Sequence, residues 1–257
     1  MMDQAIRKTS QRISLIVPVR LTHQGKSIVV KGVIDTGTER TIVSLGILKR
    51  LGINVEKMIA ASVVRGARGT HQSFRVSLDR MEVVGECAIG PMVVTAIAEL
   101  RGEMLVGMDF LRAVGAQIDF ERRDVVFRCL KKAAEQKSSP GRIVLPFIFR
   151  NKKHVVTRNA LVDTGATGII IPETMSKSLG LNVVAVASRM VAIGVSLSVR
   201  RAQIDSIELK GTPCRFGPFS TSIINIPFPV IGNSFMLRAK AAIDLMKSVN
   251  EFEVTCK

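Results

Sequence analysis

Tryptophan and tyrosine are both missing from this 257-residue chain, and 11 phenylalanines supply all of its 4% aromatic content. Most of those phenylalanines stand inside apolar runs. Few remain to stack on bases, and nucleic acid is therefore not expected as a partner. Histidine is scarce at three residues (His23, His71, His154), and the four cysteines (Cys87, Cys129, Cys214, Cys256) form no CxxC and no zinc-ligand spacing with them. No metal site is expected. No apolar run approaches the roughly 18 residues of a membrane span. Residues 1–12 carry Asp3, Arg7, Lys8 and Arg12 with no apolar leader block. A cytoplasmic protein with no membrane partner is expected, its cysteines reduced, half-buried thiols.

Acidic residues are also in short supply, 21 against 37 Lys and Arg, for a formal charge of +16. A surplus of that size raises the question of nucleic acid. Its distribution answers against a dedicated basic tail, since the balance is 22 to 14 through Lys137 and 15 to 7 beyond it, or +8 in each half. With 47% hydrophobic and 23% charged residues the chain has the composition of a folded globular protein.

What is present is a sequence written twice. Val33-Ile34-Asp35-Thr36-Gly37 returns 128 residues later as Leu161-Val162-Asp163-Thr164-Gly165. Leu51-Gly52 and Gly66 return as Leu179-Gly180 and Gly194 at the same offset, and Cys87-Ala88-Ile89-Gly90-Pro91 returns as Cys214-Arg215-Phe216-Gly217-Pro218 at 127. Leu105-Val106-Gly107 and Ile118-Asp119-Phe120 match Val230-Ile231-Gly232 and Ile243-Asp244-Leu245 at 125. Six anchors in order identify a tandem duplication. The charged, small-residue stretch 131–141 ends in Pro-Gly and reads as a linker, which divides the chain into units 1–137 and 138–257.

Each unit is rich in β-branched runs of strand length. The first has Ile13 to Val19, Ile28 to Ile34, Phe74 to Val84 and Met92 to Ile97; the second has Ile143 to Phe149, Val155 to Val162, Val183 to Val191 and Ile204 to Leu209. The pattern predicts an all-β sandwich or barrel in each copy. Short helices are predicted only at Leu45 to Leu51, Met108 to Val114, Pro172 to Leu179 and Ser234 to Ala242.

One Asp-Thr-Gly turn alone reads as an ordinary surface turn. Two, on duplicated units that pack about a pseudo-twofold axis, bring Asp35 and Asp163 face to face. Carboxylates about 3 Å apart share a proton and supply an acid and a base in one place.

With those motifs in view, the chain resembles the retroviral-type aspartic proteases (retropepsin-like, pepsin superfamily), here as two fused copies over nearly its whole length. The resemblance implies two acid-protease β-barrel domains related by a pseudo-twofold axis, with few short helices. It implies Asp35 and Asp163 as the catalytic dyad, Thr36 and Thr164 lacing the two loops together, and Gly37 and Gly165 letting the backbone approach the carboxylates. Gly107 and Gly232 would brace those loops. Flaps would centre on Arg65, Gly66 and Gly69 in the first unit and on Gly194 in the second. A peptide or protein is the implied substrate, no cofactor is implied, and a monomer with an intramolecular pseudo-dimer would suffice.

Two departures stand out. There is no flap tyrosine, and the residues after the dyad motif differ, Thr38-Glu39-Arg40 against Ala166-Thr167-Gly168. Glu39 is a third acid near the site, either raising the dyad's pKa or neutralised by Arg40. A protease-like module that binds peptides without cutting them, or a basic nucleic-acid-associated protein on the same scaffold, are the alternative readings.

Overall fold

A computed structural model describes residues 14–58, 62–66, 69–98, 100, 104–129, 141–192, 195–246 and 251–256. The linker stretch, all but its last residue Gly141, lies outside the described residues.

The first unit runs β1 (Ile16–His23), β2 (Lys26–Ile34), β3 (Ile42–Ser44), α1 (Leu45–Arg50), β4 (Ser62–Gly66), β5 (Gly69–Leu78), β6 (Arg80–Val83), β7 (Ala88–Ile89), β8 (Met92–Ile97), β9 (Met104–Val106), α2 (Met108–Ala113), β10 (Ala116–Asp119) and β11 (Asp124–Phe127). The second repeats it as β12 (Val144–Asn151), β13 (His154–Val162), β14 (Ile169–Pro172), α3 (Glu173–Ser178), β15 (Val184–Ala192), β16 (Val195–Ile204), β17 (Ser206–Leu209), β18 (Arg215–Phe216), β19 (Phe219–Ile224), β20 (Val230–Ile231), α4 (Asn233–Arg238), β21 (Ala242–Asp244) and β22 (Glu251–Glu253).

Among the described residues the chain is mostly β with four short α-helices, and each unit is built on one large curled nine-stranded sheet. Their strand orders, β4-β5-β8-β3-β9-β2-β1-β6-β7 and β15-β16-β19-β14-β20-β13-β12-β17-β18, superimpose element for element. The register repeats as well: Ile16 pairs with Val33, and Val144 pairs with Leu161, both shifted by 128. Among the described residues no helix is long and apolar enough to cross a membrane.

The two units are sewn together by a third sheet of order β11-β10-β21-β22. At its centre Ile118 pairs with Ile243. These two are repeat equivalents, so the pseudo-twofold axis passes between them. Both are fully buried, and hiding each side chain contributes roughly 1.5–3 kcal/mol to keeping the units together. The phenylalanines serve the core, as their apolar neighbours suggested. Phe147 meets Phe235 edge-on at 5.6 Å, and Phe110 is buried in the first unit.

Several expectations are corrected in detail. The runs Phe74 to Val84 and Ile204 to Leu209 are not single strands. They break at Asp79 and Asp205, whose carboxylates turn aside to accept the N–H of Gln24 and of Lys152, each at 2.6 Å, in the turns of the neighbouring hairpins. The last helix stops at Arg238, and Ala242–Asp244 becomes a strand because the central sheet offers it a partner in β10.

The larger correction concerns the cysteines, which are not free thiols. Cys87 is bonded to Cys129 and Cys214 to Cys256, each pair 42 residues apart with Cα atoms 5.2 Å apart. Each bond ties the exit of an outer strand of the central sheet (β11 or β22) to the buried turn before β7 or β18. Fold brought together what sequence spacing kept apart. Cys129 and Cys256 do not pair with each other.

Candidate active site

β2 and β13 are apolar strands that end directly in Asp35 and Asp163. Each runs parallel to a short buried strand: Ile34 pairs with Val106 on β9, and Val162 with Ile231 on β20. The neighbours hold the turns from behind, because Asp35 N–H donates to the Val106 carbonyl and Asp163 N–H to the Ile231 carbonyl, both at 3.0 Å.

Gly107 and Gly232 follow those strands, where the backbone of the same unit's dyad loop leaves no room for a side chain. A Cβ on Gly107 would stand 2.6 Å from the Arg40 carbonyl oxygen, and one on Gly232 2.6 Å from that of Ala166. The chain then enters α2 and α4 and ties back to the dyad loops through Met108 N–H to Thr38 O and Asn233 N–H to Ala166 O.

The two loops meet. Thr36 N–H donates to Thr164 Oγ1 and Thr164 N–H donates to Thr36 Oγ1, both at 3.1 Å. Each hydroxyl passes its own proton into the other unit, Thr36 to the Val162 carbonyl at 2.8 Å and Thr164 to the Ile34 carbonyl at 2.7 Å. Both threonines are fully buried. These four bonds therefore work in a medium where a lost partner cannot be replaced by water.

Gly37 and Gly165 lie against both carboxylates. Each donates its N–H to its own aspartate, Gly37 to Asp35 at 2.9 Å and Gly165 to Asp163 at 2.8 Å. Each also faces the other unit's carboxylate: a Cβ on Gly37 would lie 2.6 Å from Asp163 Oδ2, and one on Gly165 2.7 Å from Asp35 Oδ2. Only a residue without a Cβ lets the carboxylates approach one another.

Asp35 and Asp163 are hydrogen-bonded to one another through their side chains. The Asp35 carboxyl is held well above the ordinary carboxylate range, first by burial, then by the negative charge of Asp163 and the hydrogen bond to it. Asp163 is raised too, with burial again the largest cause, but more groups pull the other way: the N–H of Ala166, the hydrogen bond with Asp35, the N–H of Gly165 and the positive charge of Arg142. The pair therefore holds one proton between its two carboxyls over a wide range.

Of the flap candidates, Arg65, Gly66 and Gly69 belong to the β4–β5 hairpin, in which Gly66 pairs with Gly69. Gly194 lies outside the described residues; its neighbours Ala192 and Val195 pair at the end of the equivalent β15–β16 hairpin.

Three supporting residues had escaped the sequence reading. Asp109, at the start of α2, accepts from Thr41 N–H and Oγ1 (2.9 and 2.8 Å) and clamps the end of the first dyad loop. Asn233, fully buried at the matching place on α4, donates from Nδ2 to the Thr164 carbonyl at 2.8 Å. Arg142, just before β12, reaches Glu39 of the first unit at 3.5 Å and lies over the Phe228 ring at 5.8 Å. Glu39 thus has its partner in the other unit, while the Arg40 charge acts on Asp109. The signal for Arg142 was available in the repeat: position 142 aligns with Ser14, and Glu39 with Thr167.

Two protein-family models match the chain in tandem. That described as "gag-polyprotein putative aspartyl protease" covers residues 19–113, and that described as "Aspartyl protease" covers residues 149–234. Among solved structures, a retropepsin-like aspartic protease from Rickettsia conorii matches at 16% identity and TM-score 0.32, over 37% of this chain and 73% of its own. The EIAV protease in an inhibitor complex matches at 14% and 0.32 (40% and 91%). The retroviral protease-like domain of a Leishmania major protein matches at 23% and 0.29 (43% and 93%). No curated protein matches the chain.

Proposed function

The chain belongs to the retropepsin-like aspartyl proteases, as a tandem of two units, and from that premise we propose that it is an aspartic endopeptidase active as a single chain. The observation that carries the reading is the meeting of two Asp-Thr-Gly turns, each glycine making room for the opposite carboxylate. The ionised carboxylate of the Asp35–Asp163 pair takes a proton from a water molecule as that water attacks the amide carbonyl carbon, and the protonated one donates to the carbonyl oxygen. The resulting tetrahedral diol collapses with cleavage of the C–N bond: the proton taken from water passes to the amine nitrogen, and a diol hydroxyl returns its proton to the other carboxylate, which restores the dyad. The substrate is an extended peptide or protein segment, taken as an added strand beneath the β4–β5 and β15–β16 hairpins. Both acids are supplied in cis, so a monomer suffices, and the unit boundary falls near residue 137. Two disulfides favour folding in an oxidising compartment over the cytoplasmic setting expected from the sequence.

The test is incubation of the purified chain with a mixed peptide pool from acidic to neutral pH, beside Asp35→Asn and Asp163→Asn. Cleavage by the wild type that vanishes in each single variant is expected. Cleavage that survives either substitution, or a wild-type chain that binds peptides and never cuts them, refutes the reading; the second outcome describes a binding module instead.

A further inference from the structure

The two dyad turns are fastened by different side chains. In the first unit the loop 35–41 is pinned at both ends to consecutive residues: Asp35 N–H donates to the Val106 carbonyl at 3.0 Å, and Gly107 N–H donates to Thr41 Oγ1 at 3.1 Å. Thr41 is fully buried, and Asp109 holds it. The Thr41 N–H donates to both carboxylate oxygens, at 2.9 and 3.0 Å, and the Thr41 hydroxyl donates to Oδ1 at 2.8 Å. The carboxylate is itself set by the Phe110 N–H at 2.8 Å, and the Asp109 N–H reaches back into the loop, to the Glu39 carbonyl at 3.0 Å.

The second unit keeps the backbone part of this arrangement and replaces the side-chain part. Asn233 N–H and Ser234 N–H donate to the Ala166 and Thr167 carbonyls, as Met108 and Asp109 do to those of Thr38 and Glu39. The repeat equivalents of Thr41 and Asp109, however, are Ile169 and Ser234. Ile169 has no polar side-chain atom, and the buried Ser234 hydroxyl has no hydrogen-bond partner among the described residues. That turn is caught beside its aspartate instead, where Asn233 Nδ2 donates to the Thr164 carbonyl at 2.8 Å.

We infer that Asp109 is a positioning residue for Asp35 alone: through Thr41 it fixes the far end of the first dyad loop, while the turn of Asp163 is held by a different device. Asp109 touches no reacting atom. By accepting the Thr41 hydroxyl proton it leaves that oxygen's lone pairs free for the Gly107 N–H, so one carboxylate orders both the loop end and the residue behind the dyad. Without it the Thr41 N–H loses its partner in a joint where water does not replace it. The far end of the loop then shifts, and Asp35 shifts against an Asp163 that stays in place.

The inference rests on the endopeptidase reading for its catalytic meaning, and amide hydrogen exchange followed by NMR tests it without turnover. The chains compared are wild type, Asp109→Ala, Asp109→Asn, Thr41→Val, Thr41→Ser and the double variant Asp109→Ala/Thr41→Val. Asp109→Ala should speed exchange roughly tenfold at Gly107 and at Gly37, whose N–H serves Asp35, the weight of one lost hydrogen bond. Gly232 and Gly165 should keep their wild-type rates. Cleavage should lose roughly 10- to 100-fold in kcat with KM little changed, because the reacting acid is misplaced and the peptide groove is not. The double variant should lose less than the product of the two single losses, and Thr41→Ser should recover most of what Thr41→Val loses. Asp109→Asn keeps the shape without the charge and should show the same one-sided pattern more weakly, which serves if the alanine variant does not fold. Equal acceleration at Gly37 and Gly165, multiplicative losses in the double variant, or wild-type exchange and kcat in the Asp109 variants overturn the inference. A wild-type chain that cleaves nothing sinks the endopeptidase reading alone, because exchange at Gly37 and Gly165 still decides this one.

Discussion

Replacing Thr164 by valine keeps the shape of the side chain and removes one oxygen, which tests the lacing between the units with little change in packing. Two groups lose their partners: the Ile34 carbonyl, which accepted the Thr164 hydroxyl at 2.7 Å, and the Thr36 N–H, which donated to it at 3.1 Å. Both lie at a fully buried joint. A buried polar group left unsatisfied costs about 1–3 kcal/mol, so the pair costs about 2–6 kcal/mol. That is a large share of the about 5–15 kcal/mol that a folded protein has in hand. At about 2–4 °C per kcal/mol for a chain of this size, the melting temperature should fall by roughly 5–20 °C.

Thr164→Ser separates the oxygen from the methyl group. It keeps both bonds and loses one buried methyl, about 1 kcal/mol. The assay is urea unfolding of the three chains at one pH, with peptide cleavage measured well below the transition. Cleavage by the valine variant should drop about 100-fold while it is still folded, because misplacing reacting groups by about 1 Å has that effect. A valine variant as stable as the serine variant, with wild-type cleavage, would show that the crossed threonines do not hold the site together.

Two further outcomes follow from the same structure. Burial raises both dyad carboxyls above their unfolded values, so the folded chain binds more protons than the unfolded one just above the ordinary carboxylate range. The dyad's contribution to stability is therefore greatest below that range and falls as pH rises through the raised values. Asp35→Asn removes part of that loss, and its unfolding free energy should gain on wild type as pH rises above the ordinary carboxylate range; parallel curves would contradict the assignment. The disulfides each close a loop of 42 residues, worth about 4 kcal/mol apiece by chain entropy. Thiol labelling of the native, unreduced protein should find no reactive cysteine, and reduction should lower the melting temperature; quantitative labelling without reductant would refute the pairing.

Much of the architecture was legible because duplication prints itself on sequence. The matched anchors around Asp35 and Asp163 marked two units, and the β-branched runs marked their strands. The helices at Leu45, Met108, Glu173 and Asn233 began within two residues of their expected starts. The strand breaks at Asp79 and Asp205 were hidden, since the groups that hold those carboxylates aside lie 55 and 53 residues away. The cysteines recurred in register at an offset of 127, a signal present yet insufficient, because spacing alone does not say which thiols meet.

The sequence by itself determined that there are two like units, each ending an apolar strand in Asp-Thr-Gly, since a repeated pattern of residue types needs no coordinates to be seen. Only the tertiary structure decided that the turns face each other across laced threonines, that Gly37 and Gly165 yield space to the opposite acid, and that Arg142 reaches Glu39 from the other unit. Those are contacts between residues about 100 positions or more apart. Their geometry is fixed by how two curled sheets pack about the Ile118–Ile243 axis, and no local preference of the chain encodes it.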